Sequence, residues 1–372
     1  MIYRNLHSNS NDIENRWIVQ PVQQEKTERL VEELKISQLQ ALLLINRGIQ
    51  EPEAAHRFLY STLQDMYDPF LMKDMRRTVE RIARAIHQKE KILIYGDFDV
   101  DGVTSIVVLK KTIQLLGGVC GFYIPRRLTD GYGLKQEAID EFKDQGYSLV
   151  ISVDCGIRAT EVAEFTKNIG LDLIVTDHHL PGDVLPNAYS ILNPKQIDCP
   201  YPEKNLAGVG VVFKLCQALL HEFGRERVAE QFLSFVAIGT VADLVSLTDE
   251  NRIIVKHGLE ALRNPDNIGL LTLIEMAGVK GKDISCIDLA FKIAPRINAV
   301  GRMGGSNAAV DLFDSMDPEY VRNIVSDMNR KNIMRQQEER VILEEIEELT
   351  VRHPELFSDP VLVLAGENWH RG

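Results

Sequence analysis

Between Lys91 and Leu192 the chain repeats one pattern, a short apolar run followed by a stretch of helical periodicity, and few architectures accommodate it. The runs are Ile92 to Tyr95, Val119 to Ile124, Leu149 to Val153, Leu173 to Thr176 and Ala188 to Leu192. Each is too short for a buried helix and reads as a buried strand. Between them, Val103 to Leu116, Gln136 to Gln145 and Thr160 to Asn168 carry helical spacing. Strand and helix in alternation predict an α/β fold: an open, mostly parallel sheet with helices on both faces. Ligands of such sheets gather outside the carboxyl ends of the strands.

Those strand ends are acidic. Tyr95-Gly-Asp-Phe-Asp-Val-Asp-Gly102 places Asp97, Asp99 and Asp101 at alternate positions after the first run. Ser152-Val-Asp-Cys-Gly156 puts Asp154 after the third, and Thr176-Asp-His-His179 puts Asp177, His178 and His179 after the fourth. Carboxylates crowded together are costly unless something neutralises them, and carboxylates meeting imidazoles suit divalent metals. Two-metal phosphodiester hydrolysis uses cations ~3.5–4 Å apart. Asp154, on a central strand, suits a bridging role, with Asp97 and Asp99 each on one metal and His178 as a nitrogen ligand. Asp101 has a plainer alternative as cap or support of the helix that follows. Adjacent imidazoles cannot normally share one role, so one should bind metal and the other face substrate. Asp243 lies in the apolar run Phe235 to Val245, where a buried acid needs an arginine or a metal.

Basic residues occur in two punctuated stretches. Ala294-Pro-Arg-Ile-Asn-Ala-Val-Gly-Arg-Met303 reads as a loop in which Arg296, Asn298 and Arg302 either grip phosphate oxygens or make surface ion pairs. In Pro125 to Leu134, Arg126 and Arg127 are candidates for phosphate and Tyr132 for stacking on a base. The glycines of Leu206 to Phe213 either approach a phosphate or make a tight turn into a helix. The net charge of −12 disfavours nucleic acid only superficially, because metal ions would reverse the field where the acids cluster.

The 372 residues allow more than one domain. Residues 1–90 are expected to form a helical region, 91–250 the α/β catalytic domain and 251–316 a helical extension carrying the Arg/Asn loop. A solvated connecting helix is expected at 317–350, followed at 351–372 by the start of another domain, with a strand near Pro360 to Ala365. The cysteines Cys120, Cys155, Cys199, Cys216 and Cys286 are scattered, which suits a reducing compartment and argues against structural zinc. Cys155 is read as a buried thiol rather than a nucleophile. No apolar run approaches the ~20 residues that span a bilayer, and the start lacks a signal peptide's apolar core. A cytoplasmic protein is expected.

In order, these segments resemble the DHH phosphoesterase superfamily, and within it the RecJ-like single-strand exonucleases. Gly-Thr-Val-Ala-Asp-Leu-Val, Leu-Ala-Gly-Val-Gly-Val-Val-Phe-Lys and Ala-Pro-Arg-Ile-Asn-Ala-Val-Gly-Arg-Met belong to the match with the acidic motifs, which extends over nearly the whole chain. The resemblance implies two manganese or magnesium ions, one held by Asp97 and Asp154, the other by Asp99, Asp154, His178 and Asp243. His179 would contact the scissile phosphate and assist the leaving group. Asp101 and Asp177 are read as supporting the ligands, and Arg127 and Tyr132 as contacting the strand; the resemblance adds that Arg296, Asn298 and Arg302 would hold the backbone near the 5′ end.

The implied activity is 5′→3′ release of mononucleotides from single-stranded DNA in repair and recombination, with a helicase and a single-strand-binding protein as partners. RecJ-like chains continue past a Trp-His-x-Gly motif into a DHHA1 domain and usually an OB-fold. Here Trp369-His370-Arg371-Gly372 ends the sequence, so a shortened enzyme with a weaker grip on the strand is expected. Two alternatives are a phosphodiesterase for oligonucleotides or cyclic dinucleotides and a non-catalytic DNA-binding scaffold. The arginine-rich loop disfavours the first, and the filled ligand positions the second.

Overall fold

The computed structural model describes residues 21–125, 131, 133–302, 306–355, 361–366 and 369, with backbone alone at 301, 302 and 306. The chain divides into two compact units, residues 1–61 and 62–372. The first contains helices α1 (Gln24–Leu34), α2 (Gln38–Asn46) and α3 (Pro52–Tyr60). Ser37 and Gln40 form a reciprocal capping box that starts α2. Leu30, Ala41, Leu44, Ile45 and Ala55 make this unit's small core.

After two short 3-10 turns, Leu63–Asp65 and Pro69–Leu71, the second unit continues with α4 (Met75–Gln88), then β1 (Lys91–Gly96), α5 (Val100–Leu115), β2 (Val119–Tyr123), α6 (Gln136–Asp144), β3 (Tyr147–Val153), α7 (Thr160–Asn168), β4 (Asp172–Thr176) and β5 (Ser190–Leu192). Every pairing is parallel, in the order β2-β1-β3-β4-β5. Alternation along each strand sends its residues to opposite faces. Ile92, Ile94, Ile151 and Ile174 join the core under α4 and α5, whereas Leu93, Tyr95, Val150 and Val175 join the core under α6 and α7. Each fully buried aliphatic side chain there contributes about 1.5–3 kcal/mol. The sheet is the one expected from the sequence, with strand ends displaced by a residue or two.

Register explains why the acids meet. Gly96 lies opposite Val153, and Val153 opposite Thr176. The next residues, Asp97, Asp154 and Asp177, therefore leave three adjacent strands side by side. The strand order also reverses between β1 and β3, where open α/β sheets form their ligand crevice.

The rest of the unit is helical: α8 (Gly208–Glu222), α9 (Leu233–Ala242), α10 (Asp249–Ala261), α11 (Ile268–Met276), α12 (Cys286–Asp288), α13 (Ala294–Arg302), α14 (Ser306–Asp314) and α15 (Pro318–Arg352). Three expectations change. Residues 294–302 are helix, not loop. A π-helical stretch, Leu289–Ile293, widens the preceding turns, and the Arg296 guanidinium donates to the Lys292 carbonyl. That widening accommodates Pro295, which lacks an N–H and whose ring would crowd a regular helix. Residues 361–365, the described part of the stretch read as a strand, form no strand. The compact-unit boundary falls after Ser61, not near residue 90, because Val79, Ile82 and Ile86 on α4 belong to the sheet's own core.

Candidate metal centre

Asp97, Asp99, Asp101 and Asp177 each accept hydrogen bonds from backbone amides. Asp97 is buried and accepts from its neighbour's amide, Phe98 N, at 2.8 Å. Asp99 is the N-cap of α5 and accepts from Gly102 N at 3.0 Å. The helix thus begins at Val100, and Asp99, not Asp101, caps it. Asp101, within the first turn and buried, reaches across to α8, accepting from Gly208 N at 2.7 Å and Val209 N at 2.8 Å. The partial positive charge of that helix terminus favours its carboxylate.

Gly208 is needed for space: a Cβ there would lie 2.6 Å from Asp154 Oδ1. The glycine-rich segment therefore lets a helix terminus close on two acids, which adds a reason to the tight turn read from the sequence. Asp154 has a left-handed backbone, φ 59°, unusual outside glycine and of the kind concentrated at functional sites.

His178 sits between the acids. Its Nε2 lies 3.2 Å from Asp154 Oδ1 and 3.9 Å from Asp101 Oδ2, and its Nδ1 lies 3.7 Å from Asp243 Oδ2. Both nitrogens are buried, and neither makes a hydrogen bond among the described residues. His179 differs: its Nδ1 lies 2.7 Å from Asp177 Oδ1, and its side chain is 46% exposed. Asp177 also accepts from the amides of Ile157, His178 and His179. An Nδ1–H donated to Asp177 leaves His179 Nε2 to face outward.

Electrostatics divide the groups into two sets. Burial, followed by the fields of Asp243 and Asp99, raises Asp101 well above the ordinary carboxylate range. Burial, then Asp101 and Asp99, does the same to Asp154. Asp243 is pushed up to about 6 by burial and Asp99. His178 is lowered to about 4, chiefly by burial and then by His179, so it stays neutral with a free lone pair. Conversely, the bond to Asp177 raises His179. Burial opposes ionisation of Asp177, but the bonds and charge of His179 outweigh it and lower its pKa.

Three overlapping donor groups result: Asp97, Asp99 and Asp154; Asp101, His178 and Asp243; and Asp154, His178 and His179. Within each, one donor atom per residue lies within 4.8 Å of the others. Raised carboxyls around an unbonded imidazole fit hard divalent cations, which would replace the missing counter-charge. Asp154 is shared between two groups, as a bridge requires. The geometry joins Asp101 to His178 and Asp243, whereas the sequence reading had Asp99 beside that pair. Its position as the third acid of Asp-x-Asp-x-Asp was the available signal.

Beside His179 lies a cavity of about 790 Å³, lined in part by Leu134, Ile157, Arg158, Asp177, Leu180 and Lys195. Arg158 and Lys195 carried no motif in the sequence. On the other flank, Asn298 Oδ1 accepts from Val100 N at 3.1 Å, and Arg296 Nε donates to Asn329 Oδ1 at 3.1 Å. Both residues expected on substrate thus have protein partners. Arg127 and Tyr132 lie outside the described residues, as does the side chain of Arg302.

Residues 91–240 match the DHH family, N-terminal domain. The single-stranded-DNA-specific exonuclease RecJ of Bacillus subtilis is 42% identical over 357 residues, covering 96% of this chain and 44% of that protein. The chain thus spans about half the length of the curated relatives it matches. Thermus thermophilus RecJ, solved with Mn2+, superimposes with a TM-score of 0.74 at 28% identity, over 86% of this chain and 46% of the other. A manganese-bound exonuclease RecJ structure has a TM-score of 0.69 at 32% identity and covers 74% of this chain. Since 69% of that second structure is matched in turn, the chain belongs to the RecJ family, within the DHH group.

Proposed function

We propose that this chain carries the metal centre of a 5′→3′ exonuclease for single-stranded DNA that releases 5′-mononucleotides during repair and recombination. The observation that carries the reading is the overlap of three donor groups on Asp154 and His178, at the strand ends of a RecJ-family sheet. In this reading Asp97, Asp99, Asp154, His178 and Asp243 hold two divalent cations, manganese or magnesium, with Asp101 beside them. Such a pair would lower the pKa of a bound water so that hydroxide is available to attack phosphorus, and would offset charge on the leaving oxygen. That RecJ relatives were solved with Mn2+ and with Mg2+ supports either metal.

The protein's own groups do the rest. Asp177 fixes the tautomer of His179 and favours its protonated form, so Nε2–H faces the scissile phosphate as a donor to a phosphoryl or leaving oxygen. Neutral His178 offers a nitrogen without competing for a proton. Residues 91–250 are the catalytic part in this proposal, and 317–350 the connection to whatever grips the strand. No helix among the described residues is long and apolar enough to cross a membrane. Action in the cytoplasm is proposed, with a helicase to expose the strand and a single-strand-binding protein to coat it.

The test is manganese-dependent degradation of a labelled long single strand by this chain, beside Asp154→Ala and a short dinucleotide substrate. Labelled mononucleotides from the long strand, lost in the variant, support the reading. Turnover of the dinucleotide alone would replace it with an oligonucleotide phosphodiesterase. DNA binding without turnover at saturating Mn2+ would replace it with a scaffold.

A further inference from the structure

The amide of Val100 is an orphan. It belongs to the first residue of α5, where no intrahelical acceptor exists, and it adjoins Asp99 in the acidic turn. Asp99 caps the helix through Gly102 N, and Asp99 O receives Val103 N, so neither acceptor serves Val100. Its acceptor is Asn298 Oδ1, from a helix 198 residues further along the chain. We propose that Asn298 is a positioning residue of the metal centre: by holding the peptide between Asp99 and Val100 it sets the direction in which Asp99 presents its free carboxylate oxygen. This rests on the metal reading above and differs from the strand contact expected of Asn298.

The physical need is specific. Asp97, Asp99 and Asp154 bring three donor oxygens within 4.8 Å, and carboxylates so placed repel one another before any cation arrives. A turn bearing two of them opens unless its backbone is restrained. Asn298 supplies the restraint through the bond its Oδ1 accepts from Val100 N. Its own helix is braced, since Arg296, two residues earlier, donates to Asn329 Oδ1 on α15 and to Lys292 O. The chain of contacts runs from α15 through α13 to the acidic turn. Contacts that orient ligands typically change metal affinity by ~10–100-fold.

Two substitutions separate positioning from substrate contact. Asn298→Ala removes the acceptor, whereas Asn298→Asp keeps an oxygen for Val100 N–H and adds a charge that phosphate would avoid. Mn2+ binding to the full chain is measured calorimetrically, and the affinity for a 5′-phosphorylated oligothymidylate is measured without metal by fluorescence anisotropy. Positioning predicts that the alanine variant loses ~10-fold or more in Mn2+ affinity, with oligonucleotide affinity unchanged, and that aspartate restores Mn2+ binding. Unchanged Mn2+ binding in the alanine variant, or oligonucleotide affinity lowered by alanine and further by aspartate, overturns the proposal while leaving the metal centre standing. A wild-type chain that binds no Mn2+ overturns both.

Discussion

Two of the places where the larger unit buries ionisable groups differ in how charge is neutralised. Glu250 and Lys214 are both fully buried, 3.1 Å apart. Glu250 also accepts from Tyr67 N and the Tyr201 hydroxyl, while Lys214 donates to Tyr67 O. The network is internally satisfied and ties α8 and α10 to the segments at Tyr67 and Tyr201. At the strand ends, by contrast, Asp101, Asp177 and Asp243 have only imidazoles as ion-pair partners among the described residues. Both arrangements cost desolvation. One recovers it within the protein and so serves the fold, while the other, in the metal reading proposed above, leaves the recovery to an external cation.

Substituting one member of each site should separate the two most sharply. Asp154→Asn should lower exonuclease turnover on the order of 10³-fold or more, the scale of losing one preorganised electrostatic partner. Lys214→Ala should instead lower stability by about 3–5 kcal/mol, by stranding Glu250, with turnover per folded molecule retained. Chemical denaturation beside a single-turnover assay measures both. The metal-free stabilities should move in opposite directions. The folded pKa of Asp154 is raised, so its contribution is fully present below the unfolded carboxyl value and lost as pH rises through the folded one. At pH 8 metal-free Asp154→Asn should therefore melt higher than wild type, and below about pH 4, where both states hold the proton, the difference should vanish. A lower melting temperature at pH 8 would mean that the acids are neutralised from within after all.

Cation addition sharpens the same contrast with a smaller effect. Mn2+ at a hundred times its Kd should stabilise the wild type by about 2.7 kcal/mol, and chelation should remove the gain. Lys214→Ala should keep this increment and Asp154→Asn should lose most of it. Equal increments in both variants would place the metal elsewhere. Protons compete for the same oxygens: Asp243, held up to about 6, must ionise before it can bind a cation. Apparent Mn2+ affinity should thus rise with pH up to about 6, by no more than ~10-fold per unit from this one group. The raised Asp101 and Asp154 push in the same direction. A calorimetric titration across pH 5 to 8 that finds flat affinity would remove Asp243 from the ligand set.

The sequence made the sheet legible because period and length of an apolar run are local properties. The meeting of Asp97, Asp154 and Asp177 followed, since acids ending neighbouring parallel strands must share an edge. Partners distant along the chain were not legible. Nothing near Asp101 announces that α8, more than a hundred residues later, will present Gly208 N and Val209 N to it. Asn298 read as a strand contact for the same reason, because its pairing with Val100 depends on α13 docking beside α5. The misread loop at 294–302 arose from treating Pro295 and Gly301 as breakers. The π-helical stretch that absorbs the proline has no pattern of its own.

The smallest effect tests whether burial, rather than distance, makes the two buried sites matter. Arg340 Nε and Glu344 Oε1 on α15 are 3.0 Å apart, essentially the separation of Lys214 and Glu250. Their side chains, however, are 81% and 60% exposed. Water and salt already neutralise such charges, and ordering two long side chains opposes what Coulomb energy remains. Arg340→Ala should therefore leave the melting temperature, Mn2+ binding and turnover unchanged. If it destabilised the protein as much as Lys214→Ala does, N–O distance would be the controlling variable. The contrast between an internally neutralised pair and a metal-seeking cluster would then lose its physical basis.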